Sequence, residues 1–185
     1  RSVYDEFLRE LIAYTRTLKM APGLDPDCFI SPLVSALQQQ RVTDYIETGK
    51  QEGAELIYGG QPVEGPGFFV EPTIFAHCRN DMRIVQEEIF GPVLVTAPFD
   101  DEEEALALAN DSPYGLAAAL YSNDLGKVHS LIPRLKAGSV YVNAHGTLDP
   151  SMPFGGYKQS GFGKDLGAEQ LDYLLETKAV WITLP

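Results

Sequence analysis

A chain of 185 residues, 44% of them apolar, has the material for one ordinary domain with a sizeable core. Its 14 Lys and Arg against 26 Asp and Glu leave a formal charge of −12. That charge repels phosphate backbones and argues against nucleic acid or an anionic membrane surface as a partner. No apolar run approaches the roughly 20 residues that a membrane-spanning helix needs. The first residues lack the apolar core of a secretory signal, and the missing initiator Met suggests an internal start. Cys28 and Cys78 form no metal or disulfide framework and are read as reduced, buried thiols of a cytoplasmic protein. His77, His129 and His145 show no ligand spacing, and no metal is expected.

In chain order, Tyr4, Phe7, Leu8, Leu11 and Ile12 recur at helical spacing, with acids early, and predict a helix over Tyr4 to Leu18. Two prolines and a glycine over residues 21–27 make a loop. A second helix is predicted from about Ser35 to Gly49, with Leu37, Val42, Tyr45 and Ile46 along one face and Gly49 and Gly53 marking its end. Ala54 to Tyr58 reads as a short strand, and residues 59–67 as a surface loop. Phe68 to Phe75 is extended, with Pro72 placing part of it at a sheet edge. Val93 to Phe99 is apolar enough for a strand buried on both faces. Asp100 to Glu104 is read as a helix start, capped by Asp100 with Glu103 closing the box, ahead of a helix to Asn110. Ala117 to Tyr121 and Ser139 to Asn143 predict strands either side of a helix from Asp124 to Leu135. A helix over Leu166 to Leu175 precedes the alternating, β-prone tail Lys178 to Leu184. This tail is either one more sheet strand or an exposed edge that pairs with another subunit. Helices alternating with strands through short turns predict an α/β fold with three layers and a largely parallel sheet.

Two stretches carry chemistry. In Glu87–Glu88–Ile89–Phe90–Gly91–Pro92, two acids precede an aromatic, and Gly-Pro turns the chain into an apolar run. Such a turn can offer a carboxylate to a sugar hydroxyl and a flat face to a heterocycle. The second stretch runs from Met152–Pro153–Phe154–Gly155–Gly156 to Gly161–Phe162–Gly163–Lys164, after the β-like Ser139 to Asn143. Its glycines do not fit a phosphate loop, because no strand runs directly into a helix with the required spacing. They are read as turn glycines that let the chain pass close to neighbouring backbone. Local charge bears on the thiols as well. Carboxylates around Cys28 raise its pKa, whereas His77 and Arg79 beside Cys78 would lower that of Cys78.

These two stretches, with Asn110–Asp111–Ser112–Pro113–Tyr114–Gly115–Leu116–Ala117 between them, resemble in order and separation the C-terminal part of the NAD(P)-dependent aldehyde dehydrogenase superfamily. The resemblance covers essentially the whole chain. It implies a catalytic domain, incomplete on its N-terminal side, over residues 1–176, and an oligomerisation strand over residues 177–185, for a homodimer or homotetramer. It implies oxidation of an aldehyde to a carboxylic acid with NAD or NADP, through a cysteine nucleophile and a glutamate base that both lie upstream of Arg1. By this resemblance Glu88 would accept hydrogen bonds from the nicotinamide ribose, Phe90 would pack near the nicotinamide ring, and Gln38 would add a ribose contact. The segment around Gln38 departs from the commoner aromatic-plus-lysine pattern. From the residues alone, Glu88 could equally be a solvated turn acid, Phe90 a core ring and Gln38 an exposed helix residue. Asn143 to Phe154 would wall the substrate tunnel. Leu148, Met152 and Phe154 suit an apolar or aromatic aldehyde, and His145 is either a specificity residue or an ordinary hydrogen-bonded histidine. That loop looks most like the phenylacetaldehyde type and has no basic residue for a substrate carboxylate. Two alternatives stay open: a non-catalytic folding or dimerisation module, and an acylating or acyl-phosphate-reducing relative.

Overall fold

The computed structural model describes residues 1–185, which form two compact units, Arg1–Glu102 and Glu103–Pro185. In the first, α1 (Tyr4–Thr15) lays Tyr4 and Leu8 on Ala76, with Leu11 and Ile57 packed alongside. The Tyr4 hydroxyl accepts from the His77 backbone N–H at 3.0 Å and lies 2.8 Å from the Thr96 hydroxyl. Helix α2 (Ala36–Gln51) starts where the sequence places it: the Ser35 side chain accepts the Gln38 N–H and satisfies a donor of the first turn. Three strands follow as one sheet in the order β1 (Glu55–Tyr58), β2 (Thr73–Ala76), β3 (Val93–Val95). Strand β2 runs antiparallel to β1 and parallel to β3. Between β2 and β3 the chain makes a single turn of helix, α3 (Arg83–Gln86).

The core of this unit is Val42 and Ile46 of α2 packed on Val70, Phe75, Met82, Ile84 and Ile89. Each such side chain contributes about 1.5–3 kcal/mol through burial. Four expectations change here. The inward face of α2 is Val42, Ile46 and Gly49, and Leu37 points outward, 82% exposed, because it lies about 100° round the helix from Gln38. Gly49 is interior to the helix rather than its end. A β-carbon there would sit 2.8 Å from Ile84 Cδ1, so the residue is small for packing, and the stop is Gly53 at φ +88°. Pro72 does not mark an edge, since all four residues of β2 are buried in the middle of the sheet. The proline only precedes the ladder, which opens with Thr73 N–H donating to Pro92 O at 2.8 Å. The edges are β1 and β3, and β3 is three residues long and partly exposed, where a longer strand buried on both faces is expected.

In the second unit, α4 (Glu102–Asn110) begins two residues after Asp100. Asp100 pairs with Arg1, and Glu103, expected to close a capping box, pairs with Arg134 instead. Strand β4 (Tyr114–Gly115) pairs antiparallel with β7 (Tyr157–Lys158). Strands β5 (Ala117–Leu120) and β6 (Ser139–Val142) are parallel and in register from Ala117↔Ser139 to Leu120↔Val142. They are joined through α5 (Leu125–Leu131) and a 3₁₀ turn over Ile132–Arg134. The Asp124 carboxylate caps α5 by accepting the Lys127 N–H. Asn110 ties the end of α4 to the turn after α5: its amide donates to Arg134 O and accepts from Lys136 N–H. Helix α6 (Gln170–Leu174) is shorter than expected. The tail beyond it has no ladder partner, and Trp181 is 92% exposed. The α/β alternation holds, but the strands form three small sheets of mixed direction rather than one largely parallel sheet.

The approach of Gly91 to α2 is testable. A β-carbon at Gly91 would lie 2.5 Å and 2.8 Å from the two methyls of fully buried Val42. Gly91→Ala is expected to lower stability by about 1–3 kcal/mol through overpacking, as a reduced denaturation midpoint with unchanged slope. A midpoint equal to wild type would disprove the close fit.

Candidate functional site

The segment from α3 to β3 carries the Glu87–Glu88 pair, and its two acids do different things. The Glu87 carboxylate receives Arg83 Nε at 2.8 Å and Nη2 at 2.9 Å, a bidentate pair at i, i+4, and also the Tyr45 hydroxyl at 2.7 Å. These donors hold its pKa down at about 2, the Arg83 hydrogen bonds being the larger cause and Tyr45 the next. Two guanidinium groups lie over the Tyr45 ring, Arg41 at 5.8 Å and Arg83 at 5.6 Å from its centroid. Glu87 is therefore consumed in fixing the segment to α2. The next carboxylate, Glu88, is exposed and has no protein partner.

Ile89 then buries its side chain in the core, which throws Glu88 and Phe90 to the outer side. Phe90 has φ +54° and a ring 65% exposed. A bulky residue in the left-handed region is unusual and costs on the order of 1–3 kcal/mol, so surrounding contacts must hold it there. Exposed to this degree, Phe90 is not a core ring. Gln38 supplies part of the restraint, because its side-chain Nε2 donates to Ile89 O and to Phe90 O, both at 3.0 Å. Gln38, Glu88 and Phe90 are thus brought together, with Gln38 beneath the loop as a half-buried clamp rather than an exposed helix residue. The sequence reading missed Arg83 and Tyr45. The signal was present in the i, i+4 spacing of Arg83 and Glu87 and in Tyr45 lying seven residues after Gln38 on α2.

The expected tunnel residues do not form one wall. Phe154 lines a cavity of about 440 Å³ with Leu116, Phe162, Lys164 and Tyr173. Leu148 and Met152 are exposed at 57% and 62% and do not line it. His145 is exposed and packs edge-on against Tyr141 at 5.7 Å. Asn143, at φ +52°, turns its amide back on β5's exit, accepting Ser122 N–H at 2.9 Å and donating to Ser122 O at 3.0 Å. Phe154 is anchored through backbone bonds to Asp165, and Pro150 O accepts the Gly167 N–H at 3.1 Å, so residues 144–153 form a surface loop held at its two ends and at Pro150. The turn glycines behave as expected: a β-carbon at Gly155 would meet Gly163 O at 2.5 Å. Lys164 Nζ donates to Gly155 O at 2.9 Å across the same turn.

Both thiols are engaged by the fold. Cys78 belongs to the core, and burial pushes its pKa up, contrary to the lowering expected from His77 and Arg79. Arg79 is engaged instead with Asp81. Cys28 donates its S–H to Ala21 O at 3.0 Å. No three His, Cys, Asp or Glu side chains are grouped to hold a metal ion.

Known proteins match the chain in sequence and in fold. The betaine aldehyde dehydrogenase of Bacillus subtilis (strain 168) is 45% identical over 184 residues, covering 97% of this chain and 38% of that protein. An NAD+ complex structure of an aldehyde dehydrogenase from Bacillus cereus superposes with a TM-score of 0.95 at 43% identity, over all of this chain and 38% of that one. A P. syringae AldA indole-3-acetaldehyde dehydrogenase mutant in complex with NAD+ and IAA gives 0.94 at 46% identity, with the same coverage. The chain spans a little over a third of the length of these relatives. Residues 1–180 match the model of the aldehyde dehydrogenase family, and the chain belongs to that family.

Proposed function

We propose that residues 1–185 are the back portion of an NAD(P)-dependent aldehyde dehydrogenase, and that the Glu88–Phe90 loop holds the nicotinamide end of the cofactor. The observation that carries this reading is the pairing of an unpartnered, exposed carboxylate with an exposed ring on a strained, clamped loop. A carboxylate is acceptor-only and suits the two donors of a ribose diol. A phenyl face two residues later suits a flat heterocycle. The cofactor supplies a hydride acceptor when bound; Glu88 orients its sugar, and Phe90 limits the positions open to its ring. The family's nucleophilic cysteine and base glutamate would lie in sequence ahead of Arg1, where the cysteine would form a thiohemiacetal with the aldehyde. The burial of Cys78 and the backbone bond of Cys28 support this, since neither thiol is placed to attack.

An apolar or aromatic aldehyde remains the favoured substrate, on the strength of Phe154 at its cavity and the loop's lack of basic residues. A catalytic domain over 1–176 and a pairing strand over 177–185 fit the tail's exposed Val180, Trp181 and Ile182 and its missing ladder partner. A homodimer or homotetramer would supply that partner.

Reduced nicotinamide should form from phenylacetaldehyde with the longer polypeptide that carries this segment, and not with residues 1–185 alone. Turnover by residues 1–185 that disappears in Cys28→Ala or Cys78→Ala would refute the assignment of the nucleophile. In the longer polypeptide, Glu88→Gln removes a charged acceptor worth about 1.5–3 kcal/mol, so KM for NAD+ should rise roughly 10- to 100-fold with the aldehyde KM unchanged. An unchanged cofactor KM would remove Glu88 from the site. Glu87 gives a contrasting pH signature. Its folded pKa, about 2, lies below the ordinary 4.5, so its stabilising contribution is complete above about pH 4.5 and is lost as pH falls through about 2. The midpoints of wild type and Glu87→Gln should therefore differ by a constant amount at neutral pH and converge toward pH 2. A gap that persists at pH 2 would contradict the ionised clamp.

A further inference from the structure

We propose that Gln38 is a positioning residue for the cofactor loop, acting through its donor side rather than by touching the cofactor. This rests on the reading of the Glu88–Phe90 loop given above. The side-chain nitrogen of Gln38 has two N–H groups, and each meets a backbone carbonyl, Ile89 O and Phe90 O, at 3.0 Å. Two carbonyls converging on one end of an amide can be satisfied only by its NH₂, so the orientation of the group is fixed by its partners. The two acceptors flank the strained residue: one carbonyl belongs to the peptide entering Phe90, the other to the peptide leaving it. Holding both peptide planes at once holds the left-handed turn between them. Glu88 lies one residue before the first gripped carbonyl, so the same fork sets the direction in which its carboxylate leaves the surface.

The root of the fork is rigid. Gln38 lies in the first turn of α2, and its own N–H is bound to the Ser35 cap. Four residues on, Val42 presses on Gly91, and three further on, Tyr45 grips Glu87. The loop is therefore held at both ends by other contacts, and Gln38 is the restraint on its middle. A direct ribose contact would use Oε1 of Gln38, an acceptor; the restraint uses only the donors. The two roles separate by substitution.

The experiment compares Gln38→Glu and Gln38→Lys in the longer polypeptide that carries this segment. Gln38→Glu keeps an acceptor at the same reach and loses both donors. Gln38→Lys keeps donors and loses the acceptor. Amide hydrogen exchange across residues 88–93 and the KM for NAD+ are measured for each, with the aldehyde KM as internal control. The expected result is that Gln38→Glu speeds exchange across the loop and raises the cofactor KM, each by about tenfold, the scale of one or two lost hydrogen bonds. Gln38→Lys should stay within about threefold of wild type in both, a rescue that general destabilisation would not produce. The inference is overturned if Gln38→Glu behaves as wild type while Gln38→Lys loses cofactor affinity, or if loop exchange is unchanged in both. If wild type turns over no aldehyde with NAD+ or NADP+, the proposed function fails, while the order of the exchange rates still decides the role of Gln38.

Discussion

A methyl group will not fit between Gly91 and the Val42 side chain, and that contact sets the position of everything around it. Val42 is completely buried, one helical turn after Gln38 and one before Ile46 on the inward face of α2. Because Gly91 rests on it, the peptide between Ile89 and Pro92 has one place to run. Pro92 then delivers its carbonyl to Thr73, and the β2–β3 ladder starts there. The parallel strand pair, the buried Ile89 and the outward Phe90 are consequences of the same close approach. Packed interiors move between discrete arrangements rather than deforming smoothly, so a loop seated in this way keeps its geometry.

The electrostatics of the loop divide along the same line. Adjacent carboxylates on an acidic chain repel each other and, left alone, would both sit in solvent. Here one of them is neutralised by a bidentate guanidinium and a phenol, on a surface reinforced by cation–π contacts to Tyr45. Its neighbour is left with its charge unspent. The arrangement keeps an available acceptor beside an aromatic face without placing two free anions side by side.

How much of this was readable from sequence depends on how local the cause is. The two helix starts at Ser35 and Asp124 were legible, because a cap is a contact within three residues. So were the Ala117 and Ser139 strands, whose apolar runs flank a helix of the right length. The middle position of β2 was not, since Pro72 carries an edge signal and only tertiary pairing reveals that it stands just outside the ladder. Glu88 and Phe90 were singled out on their turn and given proposed roles through the resemblance; the division of labour between Glu87 and Glu88 was not seen, although Arg83 four residues before Glu87 announces it. Leu148, Met152 and His145 were grouped by hydrophobicity and proximity in sequence. In the fold they lie exposed on a loop tied at Asn143, Pro150 and Phe154, and they do not line the cavity that Phe154 lines.

The single face of α2 also sets where this polypeptide can change length. Gln38, Val42 and Tyr45 address three different points of one loop from successive turns of one helix. Inserting or deleting one residue between them rotates everything beyond it by about 100°, moving all later contacts off the loop together. The tip of the 59–67 turn, at Glu64, Gly65 and Pro66, lies exposed beyond the pairing of residues 61–63 with 69–71, and it absorbs extra residues at a cost that grows only slowly with length. Among descendants of this chain, insertions and deletions should therefore accumulate in that turn, while the spacing from Gln38 to Tyr45 stays fixed even where the residues between them drift.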